Sequence, residues 1–216
     1  MCSSVSHVTG TSHVPFLRKL LPTMAETPKK KQIIRAWKII SPLDDPDAYE
    51  LVDRSPRDDS NHFVHNHLCR MPNFIERYDL YQPRWAKEST CGTVTDFSAE
   101  GSSVLVAVIH VGPNLEGYPR VIHGGATALL FDDVVGFATD VTLALERKER
   151  NAVTAHLAVD FIMGLPVPST VFMTVRLLPD LQDGRKLWFL SQMINPEQTV
   201  VYAQAKVLYM LPRASL

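Results

Sequence analysis

Residues 118–145 hold the groups best suited to chemistry. A His123-Gly124-Gly125 turn precedes a long apolar run, and three carboxylates, Asp132, Asp133 and Asp140, interrupt that run. A carboxylate inside an apolar segment is costly unless partnered, so each is a candidate base or nucleophile. The glycines stand where a helix would begin, with its first N–H groups unbonded and the positive end of its dipole outward. Such a place can hold a carbonyl oxygen as it becomes an oxyanion. The same glycines equally suit a plain strand-to-helix turn, and spacing alone favours neither reading.

The element that must carry these groups is a helix. Ala126, Leu129, Leu130, Phe131, Val134, Val135, Phe137, Ala138, Val141, Ala144 and Leu145 cover most of its circumference, which marks a buried helix. It is long enough to span a small domain, roughly 30 Å at about 1.5 Å per residue. The three acids make it too polar for a membrane span. Asp132 follows Gly125 by seven residues, so it lies about 20° round the helix and roughly 10 Å along it. A base must come within about 3 Å of the reacting group. If the turn and Asp132 act on one substrate, they must therefore belong to different copies of the chain, and the site lies at a dimer interface. Asp133 competes with Asp132, and helix geometry alone separates them poorly. Asp132 shares a weakly polar face with Gly136 and Thr139, whereas Asp133 lines up with Asp140.

A strand must come next. In residues 151–163, Val153, Ala155, Leu157, Val159 and Phe161 alternate with Thr154, His156, Ala158 and Asp160. The first set suits packing on the helix. The second meets water or a partner, and from it Thr154 or His156 could orient a water or a carboxylate. Exposed strand positions with good β propensity are the plainer account of both. No Gly-x-Ser-x-Gly elbow, phosphate loop or dinucleotide turn occurs, which leaves serine hydrolase, NTPase and Rossmann chemistry unsupported. His62, His65, His67 and Cys69 follow one another closely, but no second pair at zinc spacing accompanies them, so they read as packed loop and no metal is expected.

The remaining pattern places these pieces. The 216 residues are 45% hydrophobic with a net charge of −1, which suits one globular domain and argues against a nucleic-acid partner. Cys2, Cys69 and Cys91 form no even framework and read as reduced intracellular thiols. Residues 1–43 are a basic extension, helical over 32–40, whose composition is that of a mitochondrial transit segment; a disordered basic tail is the preferred reading because arginine is sparse. Residues 44–89 read as a loop and helical lead-in, with a short helix over 73–80. From residue 90 the chain turns to strands, at 92–97 and 102–111 before the long helix and at 151–163, 170–179, 186–194 and 200–211 after it. Short Gly, Pro and Asn turns join the last four, favouring antiparallel neighbours. One α+β domain over 90–216 follows, an antiparallel sheet of about six strands wrapped around the helix.

The run Gly112-Pro113-Asn114-Leu115-Glu116-Gly117-Tyr118-Pro119-Arg120-Val121-Ile122-His123-Gly124-Gly125-Ala126 resembles the signature of hotdog-fold acyl-CoA thioesterases, above all the thioesterase-superfamily members with a GPxLEGxP stretch before an HGGA turn. The segment order over the last three-fifths of the chain is similar as well. The resemblance implies a single hotdog domain. It implies that His123, Gly124 and Gly125 form the turn and that a glycine amide polarises the thioester carbonyl. Asp132, nine residues past the histidine, matches the family's catalytic acid, which decides between it and Asp133. Thr154, in Ala152-Val153-Thr154-Ala155, matches the threonine that positions water. Gly117 and Asp133 would lie against the substrate. The family's dimers with shared sites agree with the distance argument, and a tetramer is within its range.

One departure concerns the thiol half. Relatives often carry Lys or Arg before the Pro-x-Pro turn, where it meets CoA phosphates, but here Ile162-Met163-Gly164-Leu165-Pro166 has none. Arg176, Arg185 and Lys186 are the residues that could compensate, or the acyl group arrives on a carrier protein. The expected activity is hydrolysis of an acyl, aryl or polyketide thioester of CoA or a carrier protein by a homodimer, without cofactor or membrane span, in the cytoplasm or, if the extension targets it, the mitochondrion. Hotdog dehydratase or hydratase chemistry and a non-catalytic acyl-thioester-binding module are the alternatives.

Overall fold

In the last strand, Ala203, Ala205, Val207 and Tyr209 are buried in one core, while the residues between them are half-buried or exposed. That period of two is the mark of a strand with one face on a core. The structure, a computed structural model, describes residues 36–37, 39, 41–53, 62–84, 103–145 and 152–213. In them the strands are β1 (Tyr49–Leu51), β2 (Ile75–Pro83), β3 (Leu105–Val111), β4 (Glu116–Tyr118), β5 (Val121–Ile122), β6 (Val153–Phe161), β7 (Ser169–Leu177), β8 (Lys186–Ile194) and β9 (Val201–Met210). One long helix, α1 (Gly124–Leu145), stands between β5 and β6.

Seven strands form one sheet in the order β1-β2-β3-β7-β8-β9-β6, and every neighbouring pair is antiparallel. β4 and β5 form a separate two-stranded hairpin. The sheet wraps α1. Phe131, Val134, Val135, Ala138 and Val141 of the helix join Leu105, Ala107, Ile109, Met173, Phe189 and Val207 of the sheet in one core. Two of the three buried threonines of the helix return their hydroxyls to its own backbone, Thr139 Oγ1 to the Val135 carbonyl at 2.9 Å and Thr142 Oγ1 to the Ala138 carbonyl at 2.7 Å. This is the α+β hotdog arrangement expected from the sequence. Among the described residues no helix is long and apolar enough to cross a membrane.

β3 explains its own uninterrupted apolar sequence. Its odd-numbered residues face α1, while Val108 packs on the opposite face with Phe172, Ile194 and Val201. Ala36 and Ile39 pack on that second face, where the Trp37 N–H donates to Gln192 Oε1 at 3.0 Å and the Ile39 N–H to Gln198 Oε1 at 2.9 Å. A strand buried on both faces shows no alternation.

Three expectations need correction. Among the described residues the sheet has seven strands, against about six expected, because residues 49–51 and 75–83 join it. The stretch 73–80 is therefore not a short helix: Ile75–Pro83 pairs with β3, with a bulge between Ile75 and Arg77 that breaks the alternation a reader would look for. Finally, the part of 32–40 that is described (36, 37 and 39) is not helical. Ile34–Leu216 forms one compact unit, and the expected boundary at residue 90 lies outside the described residues. The expected strand at 92–97, Cys2, Cys91 and residues 1–35 lie outside the described residues.

Candidate active site

The hairpin β4–β5 delivers the turn. Gly117 faces His123 so closely that a Cβ there would lie 2.7 Å from the His123 Cα, which only glycine avoids. The His123 N–H donates to the Leu115 carbonyl at 2.7 Å, which docks the turn on the preceding loop. The His123 ring then folds back over the start of α1, and its Nδ1 accepts the Gly125 N–H at 2.9 Å. A Cβ on Gly125 would come within 3.0 Å of that nitrogen, so the second glycine makes room for the ring.

This bond amends the expected oxyanion donor. In this chain the Gly125 amide is already engaged, whereas the Gly124 N–H has no hydrogen-bond partner among the described residues. Gly124 also borders an apolar cleft of about 290 Å³. Thr127, Phe161, Ile162, Met163 and Met193 line it as well.

The acid stands further along α1. Thr154 Oγ1 donates to Asp132 Oδ1 at 2.7 Å, and Tyr209 donates its hydroxyl to the Asp132 backbone carbonyl at 2.8 Å, with Oδ1 at 3.4 Å. Asp132 is half-buried, and its Oδ2 has no hydrogen-bond partner among the described residues. One carboxylate oxygen is thus held in place by two side chains and the other is not hydrogen-bonded among the described residues. The register explains the meeting: Leu187, Tyr209 and Thr154 lie on one rung across β8, β9 and β6.

Asp133 goes elsewhere. One residue turns an α-helix by about 100°, so Asp133 points into the core where Asp132 points at β6. It is 5% exposed and accepts hydrogen bonds from Tyr78 Oη at 2.5 Å and His65 Nε2 at 3.1 Å. His62 Nε2 lies 3.3 Å from its other oxygen. Burial pushes this carboxyl up, but the bonds to His65 and Tyr78 and the nearby His65 and His62 charges outweigh that and hold it below the ordinary carboxylate value. Asp133, expected to lie against the substrate, is thus buried against His65 and Tyr78.

The other expected residues separate into groups. His123, Gly124, Gly125 and Gly117 come together at the turn, and Asp132 and Thr154 come together at mid-helix. Arg185 donates from Nη1 to the Leu211 carbonyl at 3.1 Å, and Lys186 pairs with Asp183 at 3.5 Å. Lys186 shares a rung with Met210 and Val153, one step from the Thr154 rung. Arg176 stacks its guanidinium 4.0 Å from the Trp37 ring centroid, on the side of the sheet away from α1.

Sequence reasoning missed Tyr209. Its signal was present, since Tyr209 ends a row of inward-facing apolar positions and a buried tyrosine hydroxyl needs a partner. It also missed His62, His65 and Tyr78 as partners of Asp133, for which sequence spacing holds no signal: Asp133 follows His65 by 68 residues and Tyr78 by 55.

A sheet wraps one central helix, with an HGG turn at the helix start and an acid at its middle, and the chain is similar in sequence to proteins named acyl-CoA thioesterases. The chain is 29% identical over 104 residues to the acyl-coenzyme A thioesterase THEM4 of Bos taurus, covering 48% of this chain and 39% of the relative. To the acyl-coenzyme A thioesterase THEM4 of Rattus norvegicus it is 27% identical over 105 residues, covering 49% and 42%. The chain thus matches only about two-fifths of the length of these relatives. A Bacillus halodurans protein crystallised with CoA superposes with a TM-score of 0.44 at 17% identity, covering 51% of this chain and 69% of that one. No protein-family profile matches the chain.

Proposed function

We propose that this protein hydrolyses acyl thioesters, with CoA as the thiol half. The observation that carries the reading is the Asp132–Thr154 contact at 2.7 Å, which fixes one oxygen of a half-buried carboxylate beside a strand edge open to solvent. The names of the curated relatives support the acyl-CoA class.

In the proposed reaction Asp132 takes a proton from water as the water oxygen bonds to the thioester carbon. Thr154 spends its only hydroxyl proton on Asp132, so its lone pairs remain to accept from that water. The carbonyl oxygen becomes an oxyanion and takes the Gly124 N–H, at the positive end of α1. Collapse of this intermediate breaks the carbon–sulfur bond, and the thiolate leaves with the proton that Asp132 received. The products are a free acid and a free thiol. In the alternative order Asp132 attacks first, forming an anhydride that water then opens.

Two copies are needed. Gly124 and Asp132 of one chain are eight residues apart on α1, about 12 Å at 1.5 Å per residue, too far to share one carbonyl. β6 is the edge strand of the sheet, and it leaves Val153 and Phe161 about three-fifths exposed at 59% and 61%. An open edge with apolar residues at both ends suits pairing with a second copy. The cleft of about 290 Å³ beside Gly124 would take the acyl chain.

The test is thiol release from a panel of short, long, aryl and 3-keto acyl-CoAs. Release is expected from at least one class, falling by at least about a hundredfold in Asp132→Asn. Absence of release from every CoA and carrier-protein thioester, or near wild-type turnover in a folded Asp132→Asn dimer, would overturn the reading.

A further inference from the structure

Among the described residues, one grouping of His, Cys, Asp and Glu side chains has metal-ligand spacing: His62, His65 and Asp133, whose ligand atoms all lie within 4.8 Å of one another. It lies apart from the proposed reacting groups, because Asp133 turns into the core while Asp132 faces β6. Within the His62–Cys69 run the fold makes a selection. Val64–Leu68 forms a π-helical turn, a feature that recurs at functional sites. His65 is buried and His62 half-buried, both beside α1, while His67 is exposed.

The distances suit a small divalent ion. A tetrahedral ion with bonds of about 2.0–2.1 Å to nitrogen and oxygen keeps its ligand atoms roughly 3.3 Å apart. Here His62 Nε2 is 3.3 Å from Asp133 Oδ1 and His65 Nε2 is 3.1 Å from Asp133 Oδ2, so each imidazole stands at ligand spacing from a different carboxylate oxygen. With one atom taken from each residue the three lie within 4.8 Å, close enough to gather on one ion by small side-chain shifts. The surroundings fix the ligands as an outer shell does. Tyr78 holds Asp133 Oδ2 at 2.5 Å, and the Tyr78 and Phe137 rings meet the His65 ring edge to face, with centroids at 5.0 and 5.2 Å. His62, at 30% side-chain exposure, leaves a way in from solvent for the ion and for a water as fourth ligand.

We infer that His62, His65 and Asp133 form a binding site for a divalent transition-metal ion of the zinc class. Two neutral imidazoles and one carboxylate are a donor set that Zn²⁺ accepts, with the fourth position open. Two of the three ligands come from the chain before β2 and the third from the middle of α1, so the ion would cross-link segments far apart in sequence. It would thereby stabilise the folded chain over the unfolded one.

The experiment uses the full-length protein, stripped with a chelator and dialysed, then titrated with Co²⁺ and Zn²⁺ alone. One Co²⁺ per chain is expected, with the intense visible d–d absorption of a four-coordinate site, displaced by Zn²⁺. Zn²⁺ should raise the melting temperature. His62→Ala removes a part-exposed ligand and should leave the circular dichroism unchanged. It should weaken Co²⁺ binding by at least about a hundredfold and abolish the melting shift. His67→Ala and Cys69→Ser should bind as wild type. Absence of stoichiometric binding, binding that survives His62→Ala, or binding lost in either control would overturn the site. None of these readouts depends on thioester hydrolysis, so this inference and the proposed function fail separately.

Discussion

The Thr154 hydroxyl lies 2.7 Å from Asp132 Oδ1, so a residue of the edge strand holds the one acid of the central helix that faces it. The helix supplies the charge and the strand supplies its orientation. The hydroxyl has one proton to donate, and it is spent on Asp132. Thr154→Ala should therefore lower kcat by about tenfold or more with little change in KM, since one positioning hydrogen bond to a charged group is worth roughly 1.5–3 kcal/mol. Thr154→Ser should recover most of the loss. Steady-state kinetics on the best acyl-CoA decide it: equal loss in Ser and Ala variants would mean that the methyl group matters rather than the hydroxyl.

Tyr209, the cross-strand neighbour of Thr154, supports the same acid. Its hydroxyl bonds the Asp132 carbonyl at 2.8 Å, and the ring is 7% exposed. Tyr209→Phe keeps the ring and removes the bond. A stability loss of about 0.5–1.5 kcal/mol is expected, with turnover falling less than in Asp132→Asn. Urea unfolding and thiol release measured on the same preparation test both parts, and a turnover loss as large as that of Asp132→Asn would make Tyr209 a reacting group instead.

Stability should rest on the helix. Phe131 is fully buried between α1 and the sheet. Phe131→Ala should cost about 3–5 kcal/mol, through lost burial and the cavity left behind. That corresponds to a melting temperature lower by roughly 10 °C for a domain of this size. A shift of less than a few degrees in calorimetry would show that the helix is not the centre of the core.

The sequence shows the same division between what is local and what is distant. α1 and β7 to β9 were legible, because their burial is written in consecutive residues and their turns carry Gly, Pro or Asn. β6 was legible as a strand, but of the apolar set expected to pack on the helix Val153, Ala155 and Phe161 are exposed, and a bulge between Thr154 and His156 interrupts the alternation where Thr154 meets Asp132. Asp132 and Thr154 were singled out through a family resemblance, and the fold brings them into contact at 2.7 Å. β2 was not legible: its charged Glu76, Arg77 and Asp79 and the bulge beside Ile75 hide the alternation of Tyr78, Leu80 and Gln82. The partners of Asp133 were not, because no pattern in the chain records that residues 62–65 fold under residue 133. The role of Gly125 was only half legible, since two glycines announce a tight turn but cannot say that the His123 ring will occupy one of the two amides.

That last point makes the oxyanion donor testable by a single atom. Gly124 is the first residue of α1, the position where proline is tolerated because the missing N–H has no helical partner. A Cβ at residue 124 would meet only the Phe161 ring, at an ordinary 3.6 Å. Gly124→Pro should therefore fold and melt near wild type while losing about 10²–10³ in kcat, the usual effect of removing one oxyanion donor. Full activity in a folded Gly124→Pro protein would move the donor elsewhere.

Gly124→Pro and Asp132→Asn together test whether the site is shared. If each site takes its turn from one copy and its acid from the other, a hybrid dimer of the two inactive variants holds one intact site and one doubly damaged site. Equal mixing by unfolding and refolding makes about half of the dimers hybrid, so activity should return to about a quarter of wild type, with neither variant active alone. If turn and acid acted within one chain, every site in the hybrid would carry one lesion and nothing would return. The distance of about 12 Å along α1 requires the first result. Phe161→Asp, placed on the exposed edge strand, supplies the counterpart: it should give a folded monomer by light scattering that releases no thiol, because the two halves of the site can no longer meet.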